Sequence, residues 1–346
     1  MDSLSHALLG AMLGQVGPAR RAGNRALLAG AAIAWIPDID VAIGYGLSDA
    51  AALTFHRGIT HSIVFALCLS PLLGLVLQRL NVHRSVSRTQ WTLLAAMVLA
   101  SHLALDSLTS YGIQLLQPFN AHSFAVASVS VIDPLYTLPL LIAALVIPWL
   151  RHTSRHRLTL AATALIVSSG YLASTLYYQH HATRQIQAGF AAAGIEVERL
   201  FVKPTLFNAV LWRGIAASGD GYYVTFHSRR DSAPPDDFIY FSRNEALLSD
   251  YRREEVIQDL IAVSDGYYQV VSENGELDDE NGELLFRDLR YGQAFEWLRD
   301  DRPHVFTYRL WAEDDKPLAL EALTLQRHPE RDRATFSALV ERARGR

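Results

Sequence analysis

The chain has little of what several common classes require. It carries one cysteine, Cys68, so an internal disulfide framework is excluded. Cys68 lies in an apolar run, where a small buried hydrophobe is its expected role. Charge of one sign is also missing. With 31 Lys and Arg against 35 Asp and Glu, the net charge is -4, and no basic surplus points to a nucleic-acid partner. No positive charge precedes the first apolar stretch, as a secretory signal would need; Arg20, Arg21 and Arg25 follow it. Read with the next stretch they could imitate a signal, but Asp38 and Asp40 interrupt that pattern. Both stretches are expected to be retained helices. Acids are few before residue 180 and frequent after it, a split that the mean hydropathy of +0.11 averages away.

What is present is a series of long apolar runs. Five stretches, 26–45, 62–79, 91–110, 131–150 and 158–178, approach the roughly 20 residues that span hydrocarbon. The stretch 3–17 is shorter, about 22 Å as a helix. Its Gly10, Gly14 and Gly17, with Ala7 and Ala11, suit close packing on Gly30, Ala31 and Ala34. The expected fold is therefore a polytopic α-helical membrane domain of about six helices, residues 1–180, followed by a smaller soluble α+β domain, residues 181–346.

Arginine placement orients the membrane part. Arg20, Arg21 and Arg25, then Arg79, Arg84 and Arg88, then Arg151, Arg155 and Arg157 fall in alternate loops. The opposite loops hold only Arg57 in 46–61 and neither Lys nor Arg in 111–130. Cytoplasmic loops concentrate Lys and Arg, so the N-terminus and the C-terminal domain are expected outside the cytoplasm. Trp91 and Trp149 then fall at the inner interface, and Tyr45, Phe55, Tyr111, Phe119 and Tyr177 near the outer one.

Within these runs stand His6, Asp38, Asp40, His56, His61, His102 and Asp106. An ionisable side chain in a membrane segment is costly and marks a functional site by default. The arginine topology puts all of them in the outer half; Asp38 lies about 20 Å above Arg25, at 1.5 Å per residue. His102 and Asp106 are spaced i,i+4, on one helical face, where they could share a divalent metal or form a helix-stabilising pair. Asp38 and Asp40 follow Pro37, and converge only if the backbone unwinds there; otherwise they are ordinary residues at a helix end. In His56-Arg57-Gly58-Ile59-Thr60-His61-Ser62, Thr60 is the expected N-cap of the next helix and Gly58 permits a tight turn. Arg57 could hold a phosphate or carboxylate bidentately, or snorkel to lipid headgroups. His6 is a lone histidine whose depth agrees with the others. Asp133 is the expected N-cap before Pro134. Histidine with carboxylate suits Zn, Mn or Fe, as one ion or as two sharing a carboxylate. One of the aspartates could serve as a general base or orient a histidine.

The strings MDSLSHALLG at 1–10, PDID at 37–40, HRGITHS at 56–62, HLALDSLTSYG at 102–112 and IDPLYTLPLL at 132–141 resemble the YdjM/YbcI-type family of bacterial inner-membrane proteins, described as metal-dependent hydrolases. Ser5 stands where many relatives carry threonine. The resemblance covers about 1–180. It implies a multi-pass inner-membrane hydrolase with the seven His and Asp residues as metal-site candidates. A more distant likeness to zinc phospholipase C and P1 nuclease proteins, through His-x-x-x-Asp, implies phosphodiester chemistry.

The acidic second half reads as strands at 197–202, 210–216, 222–227, 238–241, 267–271, 284–289, 304–311 and 323–326, with helices at 246–263 and 331–344. Asn274-Gly275 and Asn281-Gly282 are turn signals flanking an acidic tip at Glu276–Glu280. His180 and His181 read as a juxtamembrane pair. No second catalytic constellation is evident there. The function expected is metal-dependent hydrolysis at the outer face, on a lipid-linked ester or phosphoester, with Asp38, Asp40 and Arg57 as catalytic candidates. The alternatives are a non-enzymatic metal-binding or transport protein and, last, a membrane anchor.

Overall fold

The structure is a computed structural model that describes residues 1–272, 283–293, 304–311, 318–323 and 338–345. The chain divides into two compact units. The first comprises Met1–Gly46, Phe55–Tyr178 and Leu206–Ala209, and the second Leu47–Thr54, Gln179–Thr205 and Val210–Arg346.

The first unit is helical. Helix α1 (Ser3–Val16) starts at Asp2, which caps Ser5 N, and ends at Gly17. Helix α2 (Asn24–Ala34) runs back against it. A Cβ on Gly10 would lie 2.3 Å from Gly30 O, one on Gly14 2.1 Å from Ala26 O, and one on Gly30 2.0 Å from Gly10 O. The small-residue stripes thus let two backbones touch, as in membrane helix pairs. Helix α2 stops at Ala34, and Pro37 opens a turn into α3 (Ile39–Gly44), so the expected continuous helix over 26–45 is broken.

A short helix α4 (Asp49–Phe55), all but its last residue in the second unit, precedes a 3-10 turn at Ile59–His61. The N-cap of α5 (Ile63–Arg79) is Ser62, not Thr60. Thr60 instead turns its hydroxyl to Asp40. The left-handed backbone in this loop is taken by Arg57, with φ 59°, not by Gly58. Helix α6 (Arg88–Ser107) opens with a reciprocal capping box between Ser87 and Gln90. It is the central helix, burying Trp91, Leu94, Val98, Leu99, His102 and Asp106. Trp91 therefore packs into this core, whereas Trp149 and Tyr45 are exposed.

Helix α7 (Pro134–Val146) is capped by Asp133, which also accepts from the Tyr171 hydroxyl at 2.6 Å. Helix α8 (Arg155–Ala192) carries the chain from the first unit into the second. Arg157 is buried: it donates to Ile147 O and Leu150 O at the end of α7, and to Gln15 and Asn24. It is a lock between helix ends, not a solvated loop charge.

Among the described residues, one helix, α8, is long and apolar enough to cross a membrane. Helix α5 and the stretch Pro134–Trp149 are apolar but shorter. These helices carry outward Leu67, Leu72, Leu135, Leu145 and Ile166, each more than half exposed. Cys68 is exposed as well, on α5, contrary to the buried role expected of it.

The second unit holds two four-stranded antiparallel sheets, each in sequence order. The first is β1 (Arg199–Pro204), β2 (Leu211–Ser218), β3 (Gly221–Ser228) and β4 (Ile239–Ser242). The end of α8 packs on it through Ile186, whose side chain would clash with any Cβ at Gly214. The helix expected over 246–263 is a 3-10 turn at Glu245–Leu248 followed by α9 (Glu255–Val263). Next come β5 (Tyr268–Ser272), β6 (Leu284–Asp288), β7 (Thr307–Trp311) and β8 (Ala319–Leu323). Ile257 and Leu260 of α9 share a core with Val270, Phe286 and Leu310 of this sheet. The Asn-Gly turn signals and the acidic tip lie outside the described residues. So does most of 331–344, of which 338–343 are helical.

The α1–α2 contact sets a stability test. Gly30→Val, which forces a side chain into the Gly10 backbone, should destabilise at the upper end of the about 1–3 kcal/mol typical of overpacking. Gly170→Ala, where an added Cβ meets nothing within 4 Å, should be neutral or stabilising by up to about 1 kcal/mol from helix propensity. Thermal unfolding of detergent-purified protein measures both.

Candidate metal centre

Three segments of the first unit deliver the site. The first is the break after α2, which brings Asp38 inward and places Asp40 in the first turn of α3. The second is the tight 56–61 loop, and the third is the buried face of α6. The i,i+4 spacing puts His102 and Asp106 one above the other on that face. His61 Nε2 lies 3.2 Å from His102 Nε2 and 3.4 Å from Asp106 Oδ2. His102 Nε2 lies 3.3 Å from Asp106 Oδ2, and Asp38 Oδ1 is 3.6 and 3.7 Å from the two imidazoles. One ligand atom from each of these four residues falls within 4.8 Å of the others. With bonds of about 2.0–2.1 Å, a tetrahedral zinc spaces its donors about 3.3–3.4 Å apart. The three separations among His61, His102 and Asp106 thus match a first coordination sphere, and those from Asp38 to the two imidazoles are a few tenths of an ångström longer.

The surrounding atoms fit the same reading. His102 Nδ1 is 2.9 Å from Ala34 O, the last carbonyl of α2, which leaves Nε2 turned to the centre. Metal-bound histidines are oriented in this way by a carbonyl or a carboxylate on their far nitrogen. For His61 the orienting groups are Thr60 Oγ1, 3.0 Å from Nδ1, and Asp40 Oδ2, 3.2 Å from it. Asp106 Oδ2 is buried and, among the described residues, has no hydrogen-bond partner. A buried carboxylate oxygen left without a donor is costly, and a cation at this position would satisfy it.

The remaining candidates sit around this centre. Asp40 is buried and takes up contacts on both oxygens: Arg57 N at 2.9 Å, Thr60 Oγ1 at 3.0 Å, His61 Nδ1, and His56 Nδ1 at 3.4 Å. His56 is 29% exposed and packs edge-on to Tyr111. His6 stacks on His102 with ring centroids 3.7 Å apart, and its Nε2 is 3.1 Å from Asp106 Oδ1. The same oxygen faces Arg57 Nη2 at 3.7 Å and the Met1 amino group. Asp38 is the most open of the four central residues, 16% exposed, with Oδ2 accepting from Ser3 Oγ. Sequence reasoning missed Ser3, Ala34 and Thr109. Two are ordinary side chains and one acts through its carbonyl, so only packing reveals them.

No second centre of this kind occurs among the described residues. In the second unit, burial and the nearby Arg287 and Arg213 push His304 down to about 3, so it is a neutral core histidine. His227 faces Asp231, whose carboxylate is held at both oxygens by Arg342. His180 and His181 are exposed on α8.

A family model described as YdjM inner membrane protein matches residues 1–182, more than half of the chain. The uncharacterized protein YfhP of Bacillus subtilis (strain 168) is 25% identical over 232 residues, covering 65% of this chain and 67% of that protein. No solved structure matches.

Metal analysis of purified protein tests the centre. His61→Ala, His102→Ala and Asp106→Ala should each lose bound divalent metal by more than about tenfold, since each removes a charge or donor from the sphere. His56→Ala should keep it. Equal metal content in all four variants would remove the centre.

Proposed function

We propose, because the chain belongs to the YdjM inner membrane protein family, that it is a membrane-embedded metal-dependent hydrolase with its site near the outer face. The observation that carries this reading is the four-atom cluster of Asp38, His61, His102 and Asp106 at coordination spacing. We take zinc as the ion, because two imidazoles and two carboxylates suit it; Mn and Fe share the same donor chemistry.

The membrane arrangement we infer has α5, α6, α7 and α8 as crossings and α1–α2 as an antiparallel hairpin. Helix α2 has 11 residues and, at about 1.5 Å each, falls short of the hydrocarbon thickness. Whatever depth the hairpin reaches, it returns to its starting side, and four crossings do the same. The parity of the six-crossing pattern is kept, so the C-terminal unit lies outside the cytoplasm, with the N-terminus. Exposed leucine and isoleucine on α5, α7 and α8 support a lipid contact for them.

A divalent ion at the centre supplies Lewis-acid polarisation of an acyl or phosphoryl oxygen and acidifies water at neutral pH. The chain's own residues do the rest. Asp38 marks the accessible side: its Oδ1 would hold the ion, and its Oδ2, bonded by Ser3 Oγ, is the oxygen left to take a proton from an incoming water. Asp40 holds His61 in one tautomer and pins the 56–61 loop to α3. His6 packs His102 in place. Arg57 puts a fixed positive charge next to Asp106, where negative charge develops on a substrate oxygen.

A second reading is a non-enzymatic metal-binding or transport protein. Four protein donors form the closed count of a structural site, which favours it; catalytic zinc keeps a position open. The exposure of Asp38 and its long separations favour the enzyme.

Turnover decides between them. Metal-loaded protein should hydrolyse some member of a panel of carboxylic, phosphomonoester and phosphodiester substrates, lose that activity to a chelator and regain it with zinc. Asp40→Asn should lower activity or metal affinity by about 10–100-fold, as loss of an orienting partner does. A silent panel together with metal flux in vesicles would move the assignment to transport. A phosphatase reporter fused after Tyr178 should be active outside the cytoplasm; an inactive fusion would refute the orientation.

A further inference from the structure

Arg57 is built into the centre more firmly than a snorkelling arginine. It is 7% exposed and holds a left-handed backbone, φ 59°, that L side chains avoid. Its backbone is fixed on both sides, N to Asp40 Oδ2 and O accepting from Gln114 N at 3.1 Å. The guanidinium lies over the Tyr111 ring, 4.7 Å from the centroid, and Nη1 donates to Thr109 Oγ1 at 3.3 Å. That leaves the Nε–Nη2 edge. Nε is buried and, among the described residues, has no hydrogen-bond partner; Nη2 approaches Asp106 Oδ1 only to 3.7 Å, beyond hydrogen-bond distance. Two parallel donors on one edge match two oxygens of a phosphate or carboxylate. Holding a cation's donors unspent in a buried site is unfavourable unless an anion completes them.

We propose that Arg57 and the metal centre together form a phosphoryl subsite: an oxyanion takes two hydrogen bonds from Nε and Nη2 while another of its oxygens reaches the ion held by Asp38, His61, His102 and Asp106. This rests on the metal reading above and narrows its substrate from esters in general to phosphoesters. The phosphoryl group could belong to free phosphate or to a lipid headgroup. Trp35 and Ile39, both more than half exposed, favour the lipid. Trp35 donates to Ser3 O, Ser3 Oγ donates to the open carboxylate Asp38, and Ile39 follows Asp38 in the chain.

The test uses zinc-loaded full-length protein in detergent, titrated calorimetrically with inorganic phosphate and, separately, with dihexanoyl phosphatidic acid. Wild type should bind phosphate, and Arg57→Gln should weaken it at least tenfold with zinc content unchanged. Arg57→Lys should restore only part, because a point charge cannot form the paired contact. Tyr111→Leu removes the ring under the guanidinium without touching a ligand; it should weaken phosphate several-fold and tests the subsite should Arg57→Gln not fold. Tighter binding of phosphatidic acid than of phosphate assigns the lipid source, and equal binding assigns the free anion; both support the subsite. Zinc-loaded wild type that ignores both probes, or phosphate affinity unchanged in Arg57→Gln and Tyr111→Leu, would overturn it while leaving the metal centre standing. Wild type that takes up no zinc would bring down the metal reading and the subsite with it.

Discussion

The carboxylate of Asp106 is the contact on which the first unit turns. Its Oδ2 faces the Nε2 atoms of His61 and His102, and its Oδ1 faces His6, Arg57 and the Met1 amino group. It is fully buried, on a helix face whose other buried residues are apolar apart from His102. A carboxylate there is tolerated only with opposite charge and donors around it. That requirement draws α1, the 56–61 loop and α6 to one point. The cost of the charge and the geometry of the site are two aspects of one arrangement.

Close backbone packing sets the accuracy of that arrangement. Gly10 on Gly30 and Gly14 on Ala26 bring α1 and α2 into direct contact, and this fixes where α2 ends. The last carbonyl of α2, at Ala34, then fixes the ring of His102. Pro37 breaks the helix just beyond and allows Asp38 and Asp40 to turn toward the same centre. They face different atoms, Asp38 the Nε2 of His61 and of His102, Asp40 the Nδ1 of His61. Two carboxylates two residues apart would diverge on a continuous helix, so the break is what lets both face the same histidine.

The second unit is built on different principles. Two antiparallel meanders bury alternating aromatic and aliphatic side chains, with α8 and α9 covering faces of the sheets. Its buried ion pairs include Asp288 with Arg290 and Asp231 with Arg342. Among the described residues, the one His/Asp cluster that could hold a metal lies in the helical unit, which is also the part matched by the inner-membrane family.

Much of this was legible in the chain itself. Hydropathy and the change in acid content separated a helical part from a strand-rich part. Small-residue spacing foretold the α1–α2 contact, Asp133 the start of α7, and i,i+4 spacing the shared face of His102 and Asp106. These features are local, governed by periodicity and capping, and a sequence displays them directly. Other features depend on partners distant in the chain. Thr60 reads as a cap but bonds Asp40 because α3 packs beside it. Trp91 reads as interfacial but faces the core, and the stretch 26–45 reads as one span but breaks at Pro37. The residue types of the centre were written in the sequence; the division of labour among them was not. Which atoms come within a few ångströms of one another, which carboxylate faces the far nitrogen of His61, and where the guanidinium of Arg57 lies are set by tertiary packing. A sequence supplies donors, and only three-dimensional packing supplies the few ångströms that separate a ligand from its support.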